Sequence, residues 1–300
     1  MFECNKILAV FNPTTDEQPA LERAVFLARS LDCQLYLVSC IYDDAYDSFD
    51  MLTTNERESL KLSLLEKQTG LLKQAATKID DIDVKIFPVW ERKLHIGIIE
   101  SATAVGADLI VKSCKAHDKF GHKLFTPSDW HLLRESPINV LMVKTHYWPD
   151  HGKIVSALSV DANDNEHQRL NMYITKSSQS IANALNAELH FANTYVGAPV
   201  HIAVEVPSFS ADEYNKDIKE KHFNVLKETA TSLNLTEDRL HVDEGLPEDV
   251  IPELCEKLDA ELLVVGSVGR TGLSAAFLGN TAEHIIDKID CDTLVIKADA

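Results

Sequence analysis

The chain has 300 residues, 45% of them hydrophobic and 25% charged, and its 29 Lys and Arg against 47 Asp and Glu leave a net charge of −18. A field of that sign repels nucleic acid and anionic lipid, which excludes a general phosphate-backbone binder, and no apolar run approaches the ~18 residues of a membrane span. Six scattered cysteines without a CxxC pair, behind a start that lacks the basic and apolar segments of a signal peptide, predict reduced thiols and a cytoplasmic protein.

In chain order, NKILAVF (5–11) reads as a first strand ending at Asn12, and ARSLDCQLYLV (28–38) as a helix end running into a second strand. The acidic and aromatic stretch 41–52 is a candidate surface for a protein partner. LHIGI (94–98) resembles the HIGH signature of class I synthetases, but it stands before the fourth strand instead of after the first and has no KMSKS counterpart, so that reading is rejected. ADLIVK and NVLMVK are strands that flank a basic loop and a short amphipathic helix.

The pattern then repeats. Residues 107–144 and 260–297 align without a gap at an offset of 153, and GKIVSAL (152–158) and ANALNAELHFA (182–192) match the two opening strands. A period this long means tandem domains instead of a solenoid. HYWPDHG (146–152) places the boundary, giving domains 1–147 and 148–300. In the second half the strands IVSAL, ELHFA, RLHVDEG, ELLVV and TLVIK alternate with helical stretches such as 215–233 and 248–258. That alternation predicts an α/β protein of two tandem doubly wound domains, each a parallel sheet covered by helices. The closing strands 139–144 and 293–297 end their sheets at an edge, so the halves are expected to pair within the chain, with a homodimer as the alternative. Segment 197–214 is either a lid over a cavity or packing for a pairing surface.

VVGSVGRTGLSAAFLGNTAEH (264–284) holds four of the chain's eleven glycines. Ligands of such sheets sit beyond the carboxyl ends of the strands, which is where Gly266 follows ELLVV. Gly279-Asn280-Thr281 opens the next helix, with Asn280 or Thr281 as cap and Glu283 in the first turn. Free N–H groups there suit a phosphate. A surface loop with turn glycines and a helix cap accounts for the same residues. The spacing is neither a P-loop nor GxGxxG.

Gly266-x2-Gly269-x9-Gly279, with GLPEDVI (245–251) ahead of it, resembles the ATP-binding universal stress proteins, and the resemblance covers both halves. It implies five-stranded sheets of order 3-2-1-4-5, a Rossmann-like domain, and ATP, with Mg, between strands 1 and 4. Gly266 and Gly269 would then let the loop pass over ribose and phosphates, beside Arg270, and Gly279 would open the phosphate-facing helix. Asn280, with Thr281 next, replaces the usual Ser, and Ser159, with Asp161 two residues on, stands where the family's first strand commonly ends in Asp. Asn193, Thr194 and Tyr195 are expected beside the base.

At the same offset the first half has Ser113, Ala116 and Thr126 in place of the glycines and Pro127 in place of Asn280, so it is not expected to bind ATP in the family's manner. Its loop 112–123 carries Lys112, Lys115, Lys119 and Lys123, either a solvated basic loop or a charge-based anion site. A metal set of Cys114, His117, His122 and His131 lacks closed spacing, and no metal is assigned. The function expected is a non-catalytic stress-response sensor that binds ATP or a related phosphorylated ligand. A weak ATPase, with Arg270 and Asp161 as its candidate residues, and a carrier or sensor of an amphipathic phosphorylated metabolite are the alternatives.

Overall fold

Short runs of β-branched and leucine residues, bounded by helices that stop on left-handed caps, build the same element series twice. In the computed structural model, which describes residues 4–44, 46, 53–116, 123–144, 147–160, 165–199, 209–267 and 278–298, the chain forms two compact units, Glu3–Thr145 and a second from His146 to Ala298. The first contains β1 (Lys6–Val10), α1 (Pro19–Leu31), β2 (Gln34–Ile41), α2 (Thr54–Ala76), β3 (Val84–Trp90), α3 (Leu94–Val105), β4 (Leu109–Ser113), α4 (Pro127–Glu135) and β5 (Asn139–Val143). The second contains β6 (Lys153–Ala157), α5 (Asn165–Leu185), β7 (Glu188–Tyr195), α6 (Ala211–Thr231), β8 (Leu240–Glu244), α7 (Pro247–Leu258), β9 (Leu262–Ser267), α8 (Asn280–Lys288) and β10 (Asp292–Lys297).

Within each unit's five-stranded set all pairings are parallel, and a short antiparallel pair, Lys115–Ala116 with Lys123–Leu124, stands apart in the first unit. The first unit is ordered β3-β2-β1-β4-β5 and the second β8-β7-β6-β9-β10, which is the 3-2-1-4-5 order. The central strands are buried along their length, as in Ile7–Val10, Leu109–Lys112 and Leu262–Val265. Burial on both faces is why they read as continuous apolar runs instead of alternating ones.

The repeat extends to single caps. Asp32 (φ 55°) ends α1 and Asn186 (φ 52°) stands at the matching end of α5, while Gly106 (φ 63°) and Asp259 (φ 52°) end α3 and α7. Asn and Asp tolerate this left-handed region better than other side chains. Helix α6 begins at Ala211, where the Ser210 hydroxyl accepts from the Glu213 N–H, so residues 211–214 of the expected lid segment form the first turn of a helix instead. Its residues 200–208, like most of 41–52, lie outside the described part. No helix among the described residues is long and apolar enough to cross a membrane.

At the edge of the second sheet, His190 of β7 and His241 of β8 lie side by side, Nδ1 to Nε2, at 3.1 Å, with ring centroids 5.3 Å apart. Burial, and then the neighbouring His241, push the His190 imidazole from 6.5 down to about 4; Glu188 opposes the shift, while Arg239 and Lys153 add to it. Burial lowers His241 as well. A neutral folded imidazole is indifferent to pH above the unfolded value, and stability is lost as pH falls below it, because only the unfolded chain takes the proton. Stability is therefore expected to decline between pH 6.5 and about 4, and His190→Gln to reduce that slope in urea titrations at stepped pH. An unchanged slope would show that His190 does not stay neutral.

Candidate functional site

Strand ends and helix starts converge at one end of the second unit. There, Leu158 and Ser159 beyond β6, Asn193 and Thr194 of β7, Val265 and Gly266 of β9, and the first turn of α8 surround a cavity of about 670 Å³. This is the size range of small-molecule sites. Leu170 and Ile174 of α5 and Ile251 of α7 supply apolar wall, and His167 adds an imidazole.

Helix α8 opens this cavity in a particular way. Its N-cap is Gly279, no side chain caps it, and the first intrahelical bond runs from the Glu283 N–H to the Gly279 carbonyl at 3.1 Å. The N–H groups of the turn ahead have no intrahelical acceptor, and residues Gly279 to Ala282 line the cavity. Gly279 has φ −69°, so no backbone strain requires glycine, and a Cβ there would stand in open space. What the missing side chain leaves is room over an uncapped helix start, where the dipole favours negative charge. Asn280 and Thr281 are thus the first two helical residues and not caps, which corrects that expectation.

Gly266 has a different reason. It sits in β9, paired with Ile296, and a Cβ on it would lie 2.4 Å from Leu170 Cδ2 and 2.7 Å from Leu170 Cγ. Its bareness lets α5 pack on the sheet, although it also borders the cavity. Ser159 lines the cavity with its backbone already engaged: its N–H donates to Asn171 Oδ1 (3.2 Å) and its carbonyl accepts from Asn171 Nδ2 (2.6 Å). Asn12 at the same place in the first unit is held identically, by Gln18 (3.1 and 2.7 Å). Both units close the end of their first strand with an amide clamp.

Asn193 also braces the wall. Its Nδ2 donates to the Leu158 carbonyl at 2.7 Å, and its Oδ1 accepts from Nδ1 of the fully buried His222 at 2.6 Å. Thr194 borders the cavity, whereas the Tyr195 ring is buried edge-on against His222, 6.0 Å between centroids, which corrects its expected place beside a base. Gly269, Arg270 and Asp161 lie outside the described residues.

The first unit is built oppositely at the same three positions. Lys112, Thr126 and Asp129 stand where the offset of 153 puts Val265, Gly279 and Ala282. Thr126 caps α4: its N–H (2.7 Å) and hydroxyl (2.8 Å) donate to Asp129 Oδ2, and its Oγ1 accepts from the Asp129 N–H at 3.3 Å, with Pro127 at the first helical position. The other carboxylate oxygen lies 2.5 Å from Lys112 Nζ, an ion contact outside aligned hydrogen-bond geometry, with the side chains 7% and 0% exposed. The chain's own carboxylate thus occupies the helix start that a phosphate would need. Lys112 is neither a solvated loop lysine nor a free anion receptor, which corrects both readings of it; the side chains of Lys115, Lys119 and Lys123 lie outside the described part, as do His117 and His122.

Among the described residues, the set able to offer a metal three ligand atoms is His95, His131 and Glu135, within 4.8 Å of one another, and Cys114 is not in it. The two imidazoles stack at 4.7 Å, His131 Nδ1 is 2.6 Å from Glu135 Oε1, and burial lowers the His95 pKa against the pull of Glu135. Neutral imidazole and carboxylate are suitable zinc donors. His131 stands in the set weighed from the sequence, where no metal is assigned; His95 and Glu135 do not, since His95 comes from α3, 36 residues earlier by number.

Residues 3–144 and 160–297 each match the Universal stress protein family. The chain is 39% identical to "Universal stress protein E" of Photorhabdus laumondii over 303 residues, covering 100% of this chain and 96% of that protein. It is 38% identical to the Escherichia coli K12 protein of that name over 296 residues, covering 98% and 94%. Among solved structures, one of a functionally unknown Pseudomonas aeruginosa PAO1 protein superposes with a TM-score of 0.74 at 30% identity, covering 99% of this chain and 94% of that one.

Two substitutions separate packing from binding roles here. Gly266→Ala is expected to lower stability by ~1–3 kcal/mol through overpacking against Leu170; urea titration showing no loss would mean α5 yields freely. Asp129→Ala strands Lys112, nearly buried, without its counter-ion, and is expected to cost ~3–5 kcal/mol. A loss below ~1 kcal/mol would show that the pair behaves as if solvated.

Proposed function

The chain belongs to the universal stress protein family, and from that premise we propose that its second unit binds ATP or a related nucleotide as a non-catalytic cytoplasmic sensor in the stress response. The observation that carries this reading is the uncapped start of α8, opening onto a cavity of about 670 Å³. In this reading the amides of Asn280 to Ala282 hold the phosphates, Thr194 and the apolar wall border the base, and Ser159 and Gly266 border the ribose. Gly269 and Arg270 complete the phosphate loop, and Asp161 serves a magnesium ion carried in with the nucleotide.

The described residues around the cavity offer helix-start amides, hydroxyls, side-chain amides, an imidazole and apolar surface, groups suited to holding a nucleotide. An acidic protein of net charge −18 gains little long-range attraction for ATP, so affinity has to come from short-range amide contacts. Sensing then requires that the nucleotide bind one arrangement of the protein more tightly than another.

Gly279→Asp gives the cleanest test. Aspartate is as good an N-cap as glycine or better, so the fold is expected to remain as stable or gain a few tenths of a kcal/mol, while its carboxylate fills the site as Asp129 does in the first unit. For the unaltered protein, ATP with Mg at about a hundredfold over its dissociation constant adds ~2.7 kcal/mol to stability; the variant is expected to show no such shift. Equal stabilisation of both proteins, or of neither, contradicts the proposal.

A further inference from the structure

Beside the nucleotide cavity, α5 and α6 fail to close on each other. Their facing stripes, Gln168, Met172, Thr175 and Gln179 on α5 and Val225, Thr229 and Leu233 in and just after α6, leave a second cavity of about 580 Å³. Spacings of three and four place each stripe on one helix face. The two cavities share only the exit of β6, Leu158 to Val160, and Asn171. The amide clamp of Asn171 on Ser159 stands between them, since it ties the loop to the helix through two hydrogen bonds.

Three features of this cavity point to an occupant. The first is the Thr175 hydroxyl, whose oxygen is buried and has no hydrogen-bond partner, in a residue only 7% exposed that lines the cavity. The neighbouring hydroxyls are satisfied: Ser178 donates to the Ile174 carbonyl at 2.7 Å, and Thr229 to that of Val225 at 3.2 Å. A buried polar atom left without a partner is unfavourable unless something enters to meet it. The second is apolar surface at the mouth, where Met172 and Val225 are 43% and 39% exposed above the buried Leu226. The third is charge. Lys176 is the one ionisable side chain among the described lining residues, in a protein with an 18-charge excess of carboxylates.

We propose that the second unit carries a separate site for a small anionic amphiphile, with its apolar body between Met172, Val225 and Leu233, a hydrogen-bonding group at Thr175 and its anionic head at Lys176. Its volume is within the range of small-molecule sites, and apolar walls with a few convergent polar groups are the usual composition of one. The site does not depend on nucleotide binding next door, and the clamp stands between the two occupants.

The probe is 8-anilino-1-naphthalenesulfonate, which has two apolar ring systems, one N–H and a sulfonate, titrated by fluorescence into the full-length protein. Saturable binding of one molecule per chain is expected. Thr175→Val keeps the shape and removes the orphan hydroxyl, so it is expected to weaken the probe about fivefold while leaving the melting temperature equal or higher. Lys176→Gln is expected to weaken it about tenfold, and Val225→Trp, at a partly exposed rim position, to abolish it by filling the mouth. Gly279→Asp is expected to leave probe binding unchanged. The proposal is overturned by no saturable binding, by binding indifferent to all three cavity substitutions, or by binding lost in Gly279→Asp, which would place the probe in the nucleotide cavity.

Discussion

A helix start has N–H groups that the helix itself cannot satisfy, and the difference between the two halves of this chain follows from how that demand is met. In the first unit, Asp129 folds back over the start of α4, accepting from Thr126 and facing Lys112 at 2.5 Å. In the second, Gly279 and Ala282 occupy the corresponding positions and neither has a side chain able to do so. One helix start is closed from within. The other faces a cavity.

Both outcomes rest on one frame. Parallel strands buried on both faces send their carboxyl ends to the same side, and in each unit an amide side chain pins the end of the first strand, Gln18 on Asn12 and Asn171 on Ser159. Because the clamp is common to both, it cannot be what distinguishes them. The distinction lies in three side chains, Lys112, Thr126 and Asp129 against Val265, Gly279 and Ala282. Exchanging an ion pair and a cap for small or apolar groups exposes the helix dipole without altering the strand order. A duplicated fold can in this way keep its architecture while its two copies diverge in what they hold.

Much of this was legible in the amino-acid sequence. The duplication, the strand series and the glycine-marked helix start follow from periodicity and an ungapped offset, because burial on both faces leaves a strong apolar signal. The role of Gly266 was not legible, since only the approach of Leu170 shows that packing demands it. Nor was the fate of Lys112: a lysine at the head of a basic loop looks solvated until the carboxylate seventeen residues later is seen against it. Extending the offset comparison from the glycines to positions 112 and 129 would have exposed that pair. Tyr195 and His95 were misjudged or missed because their partners, His222 and His131, are distant in sequence and bring no local pattern.

The most direct test is to follow backbone amide resonances of the ¹⁵N-labelled protein as ATP and magnesium are added. Hydrogen bonds from phosphate oxygens to the start of α8 predict large shifts for Asn280, Thr281 and Ala282, with Ser128 and Asp129 of α4 unmoved. Shifts centred on α4, or a saturating titration that leaves the α8 amides in place, would contradict the account.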